Sequence, residues 1–146
     1  MKYVSNPILM KKLPLVLFFL SLLFISCRKR REAPALTKEN IAGIYKITSI
    51  TSRDAPDSPE YDALADDEPC IKDNLYTFTV DNKLICTDAG LQCEPQAQWT
   101  INWSLAEDST ITIGFNHGAI TKFTGSQLEI TLNWSEAYDR ITYTRQ

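Results

Sequence analysis

From Ile41 onward, apolar and polar residues alternate with a period of two rather than at the spacing of a helix. The clearest case is Gln98 to Leu105, where Trp99, Ile101, Trp103 and Leu105 fall on one side and Thr100, Asn102 and Ser104 on the other. Successive side chains of a strand point to opposite faces, so this run predicts a strand buried on its Trp/Ile/Leu face. Similar runs, rich in Ile, Thr, Tyr, Phe and Trp, recur between turn-forming clusters. They predict strands at Ile41–Ile50, Leu75–Val80, Lys83–Thr87, 111–115, Ala119–Phe123, 128–134 and Tyr138–Thr144. The expected inward sets are Ile111, Ile113 and Phe115, and Leu128, Ile130, Leu132 and Trp134; Ile141 and Tyr143 share a face of the last strand.

The turns are expected at Asp81-Asn82, 106–109, Asn116-His117-Gly118, 124–126 and 135–137. Only 37–40 suggests a helical turn, with Thr37 as its N-cap. The register of the 75–87 hairpin stays open. A two-residue loop sets Phe78 opposite Ile85 and Cys86 on the face of Thr77, whereas a three-residue loop sets Phe78 opposite Leu84 and Cys86 on the face of Tyr76. Eight strands joined mostly by short connections should be neighbours in space as they are in sequence. The expected fold is all-β: an eight-stranded antiparallel up-and-down barrel, with an open meander or sandwich as the alternative. Residues 51–69 are the exception, a long connection with three prolines and seven acids. No spaced Asp-x-Asp-x-Asp-Gly pattern occurs there, so it reads as a solvated acidic loop rather than a cation site.

The first 26 residues change the picture of where this domain sits. Lys2, Lys11 and Lys12 precede an apolar run from Leu13 to Ile25, too short to span a bilayer comfortably. A basic flank, a short apolar core and a small residue describe a secretory signal peptide, with a transmembrane anchor as the competing reading. Phe24-Ile25-Ser26-Cys27 resembles the bacterial lipobox, which implies cleavage before Cys27 and lipidation of that cysteine. Buried acyl chains tether a domain to a membrane; the competing reading is an ordinary cysteine beside a signal-peptidase site. The division expected is 1–26 signal peptide, 27–36 lipid-anchored basic tether and 37–146 barrel domain. Arg28-Lys29-Arg30-Arg31 fits either anionic headgroups beside the anchor or a solvated linker.

Charge narrows the partners. From Thr37 the chain holds 8 basic and 17 acidic residues. Nucleic acid is an unsuitable partner for such a domain, because phosphate contacts need clustered Lys and Arg. Export also implies an oxidising compartment, in which three cysteines after Cys27 make one disulfide and one remaining thiol. Catalytic patterns are lacking: His117 is the single histidine, and there is no phosphate-binding glycine loop, nucleophile elbow or zinc-ligand spacing. No enzyme activity, cofactor or metal is expected. Glu129 should lie opposite the apolar face of its strand, and Lys72 and Asp73 read as a local pair or turn anchor.

Several stretches together resemble the small lipocalin-like lipoproteins of Gram-negative envelopes. They are Ile41-Ala-Gly43-Ile-Tyr45, Cys70-x-Lys72-Asp73-Asn74 leading into Tyr76-Thr-Phe78, the Asp81-Asn82 turn, Cys93, the Trp99–Leu105 strand, Ile111-Thr-Ile113, 128–132 and Thr142-Tyr-Thr-Arg145. Broader lipocalins carry Gly-x-Trp where this chain has Gly43-Ile44-Tyr45. The resemblance implies a lipocalin-like barrel on a lipid anchor in the Gram-negative envelope, at the outer membrane, with Cys70 bonded to Cys93; Cys86–Cys93 is the competing pair. Cys86 then reads as a small core residue. An apolar interior would be lined by Tyr76, Phe78, Trp99, Ile101, Trp103, Ile113 and Trp134. Two functions are consistent with this: binding a small apolar ligand in the barrel, or a non-catalytic structural or protein-interaction role with the barrel filled. Arg145 is expected to stack on Tyr45 and join the first and last strands.

Overall fold

The computed structural model describes residues 33–95 and 98–146, of which 33–146 belong to one compact unit. The expected signal peptide at 1–26, Cys27 and the basic run 28–31 lie outside the described residues. Strand β1 spans Gly43–Arg53, β2 Tyr61–Asp62, β3 Leu75–Phe78, β4 Lys83–Thr87 and β5 Trp99–Leu105. Then come β6 Thr110–Ile113, β7 Asn116–Phe123, β8 Gln127–Trp134 and β9 Ala137–Arg145. All neighbours are antiparallel, in the order β2-β1-β3-β4-β5-β6-β7-β8-β9. Pairing of β1 with β9, from Tyr45↔Arg145 to Arg53↔Tyr138, closes eight of these strands into a barrel. Closure leaves the wall with no long open edge.

The ninth strand explains the long connection. On the edge away from β9, β1 pairs with β3 through residues 43–46 and with β2 through Thr51 and Ser52. The connection therefore starts at Asp54, later than the sequence suggested, and folds back along the upper half of β1. It then forms a 3-10 turn at Ala63–Asp66, where Asp62 caps Ala65 N, and a helical turn at Pro69–Lys72. Pro69 at the start of that turn has no amide proton to leave unpaired.

Thr37 caps the Lys38–Ile41 turn as expected, its Oγ1 accepting from Asn40 N at 3.2 Å. This turn drives Ile41 into the core and, with Leu36 packed beside it, covers one end of the barrel. Pro34 lies against the turn at Gly125 at the same end. We call this end, which also carries the 79–82, 106–109 and 124–126 connections, the near end. The far end carries the 54–74 and 88–98 connections and the turns at 114–115 and 135–136.

The 75–87 hairpin adopts the register with Phe78 opposite Leu84 and Tyr76 opposite Cys86. Asn82 takes a positive φ of 67° in its loop. The turn expected at Asn116-His117-Gly118 is instead at Gly114-Phe115, and those three residues belong to β7. Phe115, expected inside, is 99% exposed at the tip of this turn. Gly118 serves packing rather than turning: a Cβ there would lie 2.4 Å from Thr131 O on β8. The last hairpin turns at 135–136, and Ala137 already belongs to β9. Among the described residues no helix is long and apolar enough to cross a membrane.

Candidate functional site

The place to look for a ligand site in such a barrel is its interior. Alternation sends Tyr45 of β1, Tyr76 and Phe78 of β3, Leu84 and Cys86 of β4, Trp103 of β5 and Tyr143 of β9 inward, and all are buried. Their rings interlock edge to face. Phe78 lies 5.7 Å from Tyr45, 5.5 Å from Tyr143 and 5.2 Å from Trp103, at near-perpendicular angles. Tyr143 meets Tyr76 at 5.8 Å and Tyr45 at 6.5 Å. Such geometry sets the positive edge of one ring against the negative face of the next. Ile111, Ile113, Leu128, Ile130 and Leu132 pack the other side of the wall into the same cluster. No cavity opens among the described residues.

Of the seven residues expected to line a pocket, Tyr76, Phe78, Trp103 and Ile113 come together in this packed core. Ile101 packs against it while partly exposed. Trp99 and Trp134 do not line the interior: each is the terminal residue of its strand and about two-fifths exposed. Trp99 touches the core only through Tyr76, at 6.1 Å between rings. Alternation assigned both to the correct face but said nothing of how far the strands overrun the buried layer. Tyr45 and Tyr143, which supply two of the central rings, were not among the expected lining residues. Tyr143 could have been found from its shared face with Ile141.

Besides the interior phenols and thiol, polar side chains gather at the two ends of the barrel. Trp103 Nε1 donates to Thr79 O at 3.1 Å. Tyr45 Oη donates to Ile41 O at 2.7 Å and accepts from Arg145 Nη2 at 2.7 Å. The Arg145 guanidinium also lies 5.0 Å above the Tyr45 ring, as expected, and donates through Nη1 to Ala42 O and through Nη2 to Asn40 O. It runs directly across Gly43, where a Cβ would come within 2.6 Å of Nη1. At the far end, Asp139 accepts from Ser52 Oγ at 2.6 Å and from Trp134 Nε1 at 3.0 Å. Among the described residues, Ser52 and Asn74 are buried polar residues. The sequence pattern places Ser52 in the acidic connection, whereas it belongs to β1.

Burial sets the ionisation of the interior. It pushes the phenols of Tyr76 and Tyr143 well above the ordinary tyrosine range. The Tyr45 phenol is also raised by burial, against the opposing pull of Arg145. The Cys86 thiol is raised by burial too, with Tyr76 as its hydrogen-bonding neighbour. A buried thiol held protonated is a poor nucleophile. His117 sits on the exposed side of β7, its Nδ1 3.1 Å from Thr112 Oγ1. Among the described residues no group of three or more His, Cys, Asp or Glu side chains is arranged to hold a metal.

Cys70 and Cys93 are bonded, with their Cα atoms 5.3 Å apart. Asp73 proves to be a loop anchor, its Oδ2 accepting from Leu91 N at 2.8 Å, while Lys72 donates to Ala65 O at 2.8 Å. Asp88 Oδ2 accepts from Cys93 N at 3.1 Å. The bond and these contacts fasten the 88–93 segment to the end of the acidic connection. Glu129 lies on the outer face, where Thr121 Oγ1 donates to it at 2.6 Å. Comparison with known proteins finds no matching family model, no matching curated protein and no matching solved structure.

Proposed function

We propose that this chain is a non-catalytic, lipid-anchored protein of the Gram-negative cell envelope, whose barrel serves as a filled scaffold that presents its surface to another envelope component. The observation that carries the reading is the ring cluster of Tyr45, Tyr76, Phe78, Trp103 and Tyr143, which occupies the space a small apolar ligand would need. Ligand sites are concave spaces of several hundred Å³, and interiors packed ring against ring offer none without displacing side chains. Support for the anchor comes from the sequence: a basic flank, a short apolar run and Phe24-Ile25-Ser26-Cys27. In this reading a lipid on Cys27 tethers the domain to a membrane, taken as the outer membrane from the resemblance to envelope lipoproteins.

Native mass spectrometry of the purified full chain tests the filled barrel. The expected spectrum shows the lipidated chain with no further mass, and tryptophan emission does not change across a panel of fatty acids and phospholipids. A co-purifying small molecule that quenches Trp103 would overturn the reading in favour of ligand binding. Replacing Cys27 with Ser should abolish both the acyl mass and membrane association; membrane association unchanged by Cys27→Ser would remove the anchor from the proposal.

A further inference from the structure

We infer that the far end of the barrel is a docking surface for a basic, partly apolar stretch of a partner protein, an inference that rests on the filled-scaffold reading above. The two ends of the barrel differ sharply. Eight large apolar side chains are exposed among the described residues. Six of them, Tyr61, Ile71, Leu91, Trp99, Phe115 and Trp134, belong to far-end connections or to strand residues that open onto them. Only Ile44 and Val80 lie at the near end. Exposed apolar side chains collected in one region, rather than scattered singly, mark a surface that is covered in use.

Charge selects what covers it. The 54–74 connection holds eight acids and one base, Lys72, and that base is turned back onto Ala65 O. The 88–98 connection adds Asp88 and Glu94 with no base, and the 135–136 turn adds Glu136. Two further bases at this end, Arg53 and Arg140, lie on the Tyr138 ring, and Arg140 pairs with Glu60, so the rim stays acidic in excess; an apolar surface with such a rim attracts the opposite sign and rejects its own. Anionic headgroups, nucleic acid and a second copy of this end all carry the wrong charge. A basic polypeptide with apolar side chains satisfies both features. The surface is also preformed. The Cys70–Cys93 bond and the hydrogen bonds of Asp73 and Asp88 hold Ile71 and Leu91 in place, and Glu60 holds the β2 segment by accepting from Tyr138 and pairing with Arg140. Docking on held loops costs less ordering entropy than docking on loose ones.

Site-specific photocrosslinking in the native cells tests this with the full chain. A benzophenone side chain is placed at Leu91, Trp99 or Phe115 on the far end, and at Ile44 or Val80 on the near end. The three far-end positions should crosslink to one protein, and mass mapping should place the bond in a peptide of net positive charge containing apolar residues. The combined substitution of Asp57→Asn, Asp66→Asn and Glu68→Gln, all exposed, should cut the yield several-fold at unchanged protein level. Equal yield from Ile44 and Val80, an acidic target peptide, crosslinks to lipid or to a second copy, or no far-end product would each overturn the docking surface. The scaffold reading fails separately, by the appearance of a co-purified ligand mass.

Discussion

Arg145 and Tyr45 face each other across the seam that closes the barrel, with the guanidinium 5.0 Å above the ring and Nη2 2.7 Å from the phenol oxygen. The same guanidinium takes the carbonyls of Asn40 and Ala42, so one side chain of β9 fixes β1 and the helical turn that covers the near end. A planar fork is required, because a lysine ammonium cannot stack on the ring and reach both carbonyls. Arg145→Lys is therefore expected to cost about 2 kcal/mol, the scale of losing hydrogen bonds to a charged group. Urea unfolding checks this; a midpoint unchanged by Arg145→Lys would show the stack contributes nothing to closure.

Phe78 touches three other rings, whereas Phe115 touches solvent. Truncating a buried aromatic removes its transfer energy and leaves a cavity, so Phe78→Ala should destabilise by about 4 kcal/mol. Phe115→Ala should stay within about 0.5 kcal/mol, as surface changes do. The pair is informative because both residues carry the same side chain and both were expected inside. Thermal or urea unfolding of the two variants separates them, and a comparable loss from both would contradict the placement of the 114–115 turn.

That misplacement shows what alternation can and cannot convey. Where one face of a strand packs on the core, as in β5 and β8, the period of two identified the inward set. Around 114–118 two signals competed: Gly114 and Asn116-His117-Gly118 are both turn-like. Gly118 is small because the backbone of β8 passes close to it, a reason that exists only once β7 and β8 are paired. The same limit applies at strand ends. Trp99 and Trp134 lie in the expected strands but beyond the buried layer, and β1 runs past Ile50 because Asp139 of β9 receives Ser52. The register of the 75–87 hairpin depended on loop length, which composition left open and the Phe78↔Leu84 pairing decides. The legible part of the candidate site was its inner layer; its closure by Tyr45, Tyr143 and Arg145 needed the first and last strands side by side, of which the sequence supported only the Tyr45–Arg145 stack.

The Cys70–Cys93 bond spans 23 residues and ties the acidic connection to the segment before β5. In the chain-entropy model a loop of this length contributes about 3 kcal/mol. The double variant Cys70→Ser/Cys93→Ser should lower stability by about that amount and raise hydrogen exchange in 88–95 before the rest of the barrel. Cys86, buried beneath Tyr76 with its thiol raised by burial, should stay unmodified by a charged disulfide reagent in the native protein and react at the rate of unfolding. Prompt labelling of Cys86 at neutral pH would contradict its burial.

Alkaline pH offers the sharpest test of the ring cluster. Burial holds the Tyr76 and Tyr143 phenols well above their ordinary value of 10.0, so both stay neutral in the fold when the unfolded chain has begun to ionise them. The unfolded state then binds fewer protons than the native state, and stability falls with rising pH. The contribution of each phenol is complete below about pH 10 and is lost above it, at up to about 1.4 kcal/mol per pH unit for each group. Urea midpoints measured between pH 9 and pH 11.5 should therefore fall gently at first, where the buried Cys86 thiol acts in the same sense, and then drop steeply. Tyr143→Phe removes one of these protons and should make the fall shallower, with Tyr76, Tyr45 and Cys86 still contributing, although the variant keeps the ring and its edge-to-face contacts. An unchanged slope in Tyr143→Phe would mean that this phenol ionises equally in both states, and so does not sit sealed at the centre of the barrel.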